Sequence, residues 1–244
     1  MAASGSAAAD PSERAEVGTA PPAGGRVNGG RSAGRAGWLA LSAAVLFVLL
    51  SLAVVRAPGQ LLPTDLALHR WSAQHRPDLA LASARALTVT GTGLVPYVLL
   101  LLAGLYAGRT NRRRALVAGG LLLCLGAGQA LRYAVMMLIA RPRPPLGDWA
   151  TQASGWSFPS GHATTAAMTA GLLVAALRLR GTRVSRTAVV VIGLWGAAVG
   201  LTRVYLGVHW FTDVIGGWLM AAMWLSLTAF AYVWRTAGRS RVSG

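Results

Sequence analysis

The chain has 244 residues, 54% of them hydrophobic and only 12% charged, which excludes an ordinary soluble domain and leaves room for one membrane-embedded unit. The net charge is +16, and all 23 basic residues are Arg. They recur at every second boundary of the apolar segments, the pattern of cytoplasmic loops and not of a nucleic-acid surface.

Residues 1–37 are rich in Ala, Gly, Ser, Pro and Arg without a hydrophobic period, and are expected to form a disordered cytoplasmic tail. The polar stretch is too long for a signal peptide, so the apolar run 38–55 reads as an uncleaved anchor. The segment 56–92 follows, with a short amphipathic helix expected over 78–89 and a break at Gly91 and Gly93. Further apolar segments lie at about 93–108, 114–140, 160–178, 187–206 and 211–234. The reading is all-α: a six-transmembrane-helix bundle over 38–235, closed by a cytoplasmic tail at 236–244. Arg109 with Arg112–Arg114, Arg178 with Arg180, Arg183 and Arg186, and Arg235 with Arg239 and Arg241 mark the cytoplasmic side. Both termini are then cytoplasmic and the protein belongs in the plasma membrane. A lone Cys124 inside an apolar segment reads as packing.

Three polar blocks interrupt this pattern, all predicted at the outer face. Arg141-Pro142-Arg143-Pro144-Pro145 ends the third span, and Pro159-Ser160-Gly161-His162 opens the fourth. Between the fifth and sixth spans lies Thr202-Arg203, with His209 and Asp213 following. His209 and Asp213, four apart, share one face of a helix, where the carboxylate fixes the imidazole's tautomer. Arg143 and Arg203 offer planar, permanently charged forks suited to phosphate. A helix beginning at Ser160-Gly161 presents free N–H groups to an anion. These residues alone give two histidines, a carboxylate and two arginines at one cluster of helix ends. No metal-ligand set is evident, since Asp148 and Asp213 are the only carboxylates expected nearby.

The three ordered blocks resemble the type 2 phosphatidic acid phosphatase superfamily, which also includes the vanadium haloperoxidases. The resemblance covers roughly 38–235. It implies a membrane phosphatase that uses neither metal nor cofactor. His209 would be the nucleophile, forming a phosphohistidine, with Asp213 holding it and His162 as general acid. Arg143, Ser160, Gly161 and Arg203 would bind the phosphoryl oxygens. The family's Lys, seven residues before the Arg, is absent: Met136 stands there, and Arg132, one turn away on the same face, is the candidate replacement. Thr202 stands where the family usually has Ser. The implied partners are a lipid phosphate or polyprenyl diphosphate, undecaprenyl diphosphate among them, and membrane lipids, with no nucleic acid. The alternatives are a haloperoxidase-like oxidoreductase or a non-catalytic lipid binder. His69 and His75 are expected to be exposed, Asp148 solvated, Arg141 a brace of the proline-rich turn, and Trp149, Trp156 and Trp210 an interfacial belt.

Overall fold

The computed structural model describes residues 24–56, 62–181 and 183–242. Its elements, in order, are α1 (Gly24–Arg56), α2 (Pro63–Gln74), α3 (Asp78–Thr90), α4 (Leu94–Ala107), α5 (Asn111–Ile139), a 3₁₀ turn (Leu146–Asp148), α6 (Gly161–Leu179), α7 (Arg186–Tyr205) and α8 (Phe211–Val242). No strand occurs among the described residues. Helix α1 starts inside the stretch that composition assigns to a tail; residues 1–23 lie outside the described residues.

Among the described residues, five helices are long and apolar enough to cross a membrane, and they include α5 to α8. The apolar segment expected at 93–108 is α4, which alone is too short for a crossing. Helix α4 has 14 residues, about 21 Å at 1.5 Å per residue, against a hydrocarbon core of about 30 Å. It continues α3 across a 51° bend, and the pair counted together makes a sixth, broken span. The bend sits at Gly93, whose φ of +63° suits glycine. The amphipathic helix expected over 78–89 is α3 itself, whereas α2 was not anticipated.

Helix α6 is the most enclosed of the spans, touching α4, α5, α7 and α8. Its seam with α7 is built of small residues: a Cβ at Gly196 would meet Ala170 at 3.2 Å, and one at Gly200 would meet Ala163 at 3.2 Å. Close backbone approach of this kind replaces the hydrophobic drive that lipid cannot supply. Thr164, Thr165 and Thr169 donate to carbonyls one turn back, so their hydroxyls are satisfied inside the bundle. Leu100, Leu125, Met168 and Leu172 form the main core, with half-buried Cys124 against it. Side chains such as Leu102, Leu123, Leu138, Val191 and Leu194 face outward.

Helices α5 and α7 end, and α6 and α8 begin, at one end of the bundle. The other end carries Arg109 and Arg180, which donate to helix-end carbonyls there. The chain thus separates these loop arginines from its motif arginines.

Candidate active site

Ala140, at φ +47°, ends α5 in the left-handed region. Pro142 then stops any continuation of the helix. The turn delivers Arg141 inward and Arg143 toward the cleft. Ser160 caps α6, accepting from Ala163 N, and its own N–H donates to Asp213 O at 3.0 Å. The first turn of α6 leaves the Gly161 and His162 N–H groups without an intrahelical acceptor.

A cleft of about 630 Å³ opens where these ends meet. Its wall includes Arg132, Arg143, Gly161, His162, Arg203 and His209. Six of the eight residues expected from the motifs therefore converge on one cavity. Asp213 lies behind His209, fully buried. Ser160 is also fully buried and stands beneath the wall as the helix cap, not on it.

His209 Nδ1 lies 3.2 Å from Asp213 Oδ2, which also accepts from Trp210 N at 2.9 Å. With Nδ1–H donated to the carboxylate, Nε2 keeps its lone pair, which accepts from Arg143 Nη1 at 3.0 Å. Burial pushes the His209 imidazole down to about 4; Asp213 opposes the shift, while Arg143 and Arg203 add to it. A neutral imidazole with a free Nε2 is the form a nucleophile requires.

The three arginines differ. Arg143 is already engaged: Nε donates to Gly155 O, Nη2 to Ser154 O and Trp156 O, and Nη1 to Val208 O as well as His209. Burial lowers its pKa, partly offset by Asp213. Arg203 makes one bond to Thr88 Oγ1, and Arg132 one contact to Met136 Sδ. The Nε atoms of both are buried without a partner. The Arg132 guanidinium faces the start of α6, its Nη1 3.4 Å from where a Cβ on Gly161 would stand. Arg132 thus stands beside Met136, one turn below it, with its guanidinium at the opening of α6.

Several expectations at the periphery fail. His69 is buried, with Nε2 2.9 Å from Asp148 Oδ2, because α2 folds under the 144–158 loop. Asp148 is paired but keeps 41% of its side chain exposed, so its expected solvation holds in part, and Arg76 Nη1 donates to its carbonyl. Trp210 is buried against the His69 ring and donates to Pro142 O, so it belongs to the site and not to a belt. Arg141 does not simply brace the turn. It bridges two carboxylates, bonding Asp213 Oδ1 through Nη1 and Asp65 through Nη2 at 2.8 Å. Asp65 is a third nearby carboxylate that the sequence reading missed. It sits in a short polar helix outside every motif block.

The sequence profile of the PAP2 superfamily matches residues 117–237, a range that holds all eight motif residues. Decaprenylphosphoryl-5-phosphoribose phosphatase of Mycolicibacterium smegmatis is 34% identical over 149 residues, 58% of this chain and 73% of that protein. The chain belongs to the PAP2 superfamily. A second PAP2 relative by similarity, phosphatidylglycerophosphatase B of Bacillus subtilis, is 31% identical over 134 residues, 53% of this chain. The match spans 63% of that relative's length, under two thirds. A solved transmembrane PAP2 type phosphatidylglycerolphosphate phosphatase from Bacillus subtilis matches with a TM-score of 0.63 and 26% identity, over 80% of this chain and 96% of that one. The PAP2 match begins within α5, so Asp65 and His69 lie outside it.

Proposed function

We propose that this PAP2 protein is a membrane phosphatase that removes phosphate from a lipid phosphate through a phosphohistidine on His209. The observation that carries the reading is the convergence of Arg132, Arg143 and Arg203 with His162 and His209 on one cleft. A phosphoryl group presents equatorial oxygens that satisfy such donors, and the N–H groups opening α6 add to them. His209 Nε2 attacks phosphorus in line, the P–O ester bond breaks, and the leaving oxygen takes a proton from His162. His162 then accepts a proton from water as that water breaks the P–N bond. Arg143 exchanges its bond to Nε2 for one to a phosphoryl oxygen.

The two named relatives act on phosphorylated headgroups of a glycerolipid and of a polyprenyl lipid, and this supports a lipid substrate of one of those types. The distribution of arginines supports an outward-facing site in the plasma membrane with cytoplasmic termini. The proposed steps use only the side chains of the cleft and call on no metal, which the EDTA arm of the test below addresses.

The test is phosphate release by purified protein from phosphatidate, phosphatidylglycerophosphate and C55 diphosphate, with EDTA present. Release from at least one, inhibited by vanadate as a transition-state mimic, is expected. Release from none, or only with added Mg²⁺, overturns the reading. For the face, Gly147→Cys on a Cys124→Ala background labels with an impermeant thiol reagent in intact cells, and Arg183→Cys does not. The reverse pattern overturns the outer-face assignment.

A further inference from the structure

Asp65 is fully buried, although it lies in α2, a polar helix outside the spans. Its carboxylate accepts three bonds. Oδ1 accepts from Thr212 N at 2.8 Å; Oδ2 accepts from Thr212 Oγ1 at 2.7 Å and from Arg141 Nη2 at 2.8 Å. Arg141 carries the contact onward: its Nη1 donates to Asp213 Oδ1, and Asp213 Oδ2 faces His209 Nδ1. The result is a continuous chain Asp65–Arg141–Asp213–His209, closed to solvent along its length.

A buried ion pair is a weak stabiliser, because desolvation offsets most of its Coulomb energy. A clamp of α2 onto α8 would be served as well by apolar packing. The arrangement has an electrostatic sense. Arg141 orients Asp213 but also withdraws its negative charge. That charge is what must stabilise His209 once Nε2 is phosphorylated and the ring becomes cationic. A second carboxylate on the far side of the guanidinium divides the Arg141 charge and returns Asp213 to His209.

We infer that Asp65 is a positioning residue of this active site, which orients Arg141 and restores the negative charge of Asp213 toward His209. The inference rests on the phosphohistidine reading above. Asp65 touches no substrate, so it acts on kcat and not on binding. The groups that face His209 are Asp213 on α8, Arg141 and Arg143 in the turn after α5, Arg203 on α7 and His162 on α6, with Arg132 on α5 across the cleft and His69 behind Trp210.

The test uses the full-length protein in detergent and the acid limb of kcat/KM, which reports protonation of the free enzyme. Asp65→Asn lowers kcat by roughly 10–100-fold, as loss of an outer-shell partner does, and leaves KM within about twofold. It also moves the acid limb to lower pH, roughly half a unit to one unit, because a lost negative charge disfavours protonated His209. Arg141→Gln moves the limb the other way. In the double variant the limb stays where Arg141→Gln puts it, since Asp65 without its cation takes up a proton. Thr212→Val removes the hydroxyl's bonds to Asp65 and Arg141 but keeps the backbone N–H bond to Asp65 and every charge; it lowers the melting temperature and leaves the limb in place. If Asp65→Asn does not fold, Arg141→Gln and the double variant, in which neither charge is buried alone, carry the comparison. An unmoved limb in folded Asp65→Asn, or in Arg141→Gln, overturns the inference and leaves Asp65 a clamp. Undiminished turnover by His209→Ala would instead remove the phosphohistidine reading beneath it.

Discussion

The two ring nitrogens of His209 look onto opposite kinds of surroundings. Behind Nδ1, Asp213, Arg141, Thr212 and Asp65 form a closed set of bonds, with both carboxylates excluded from solvent. In front of Nε2, the cleft is lined by the guanidinium groups of Arg132 and Arg203, neither of which has a carboxylate partner among the described residues. Converging cationic donors of this kind suit an anion. The finished side holds the ring, and the unfinished side is left for a ligand. Arg143 stands between them, tied to the 154–156 carbonyls and yet bonded to the reacting nitrogen.

The largest break in this contrast comes from removing the shared ring. His209→Ala should lower phosphate release by on the order of 10⁴-fold or more, since no nucleophile remains. A residual rate within tenfold of wild type in the same assay would contradict the role.

Next comes the unfinished side. Arg203→Ala and Arg132→Ala should each cost roughly 10²–10³ in kcat/KM, the usual loss for a donor to a developing oxyanion. Met136→Ala should cost far less. Arg132→Ala combined with Met136→Lys returns a charge one turn nearer Arg143 and should recover part of the loss. Equal and small effects at 132 and 136 in a steady-state assay would show that the cleft works with Arg143 and Arg203 alone.

A smaller effect is expected on pH. His209 is held near 4, so it stays neutral and nucleophilic above that pH. After correction for the substrate's own ionisation, the acid limb of kcat/KM should lie near pH 4, where His209 protonates. A limb at the ordinary histidine value of about 6.5 would show that the buried environment does not act on the ring in solution.

The smallest effect belongs to the support around the site. His69→Ala removes the bond to Asp148 and the packing on Trp210. It should lower the melting temperature by a few degrees and activity only severalfold. A loss as deep as that of Arg203→Ala would place His69 in the chemistry.

The convergence of the three blocks was legible because each sits where an apolar run stops, and loop and charge patterning put those stops at one end. The pairing of His209 with Asp213 was legible from their spacing, but not as a shared helix face: α8 begins at Phe211, and His209 reaches Asp213 from the turn before it. The placement of Arg132 on the Met136 face was readable from helical periodicity, whereas its approach to the start of α6 was not. Asp65 and His69 were not. They lie in a short polar helix of no marked period, and their partners are 147 and 79 residues away. No local rule pairs groups at such separation. Trp210 was misread because a tryptophan near a membrane boundary has the same local signature whether it faces lipid or packs inward. Ser160 was assigned to the ligand because a helix-opening serine serves equally as a cap. The 93–108 segment and the break at Gly91 and Gly93 were legible, but not that α4 alone is too short to cross and continues α3 through a bend.

The central claim is that Nε2 of His209 takes the phosphoryl group while the bonds behind Nδ1 stay intact. It is tested most directly by rapid-quench trapping with a phosphate-labelled lipid substrate, stopped in alkali to preserve phosphohistidine, followed by peptide mapping. The account predicts label on the peptide bearing His209, none in His209→Ala, and accumulation in His162→Ala, where water is not activated. Full turnover of the same substrate with no label on His209 at any time point would contradict it.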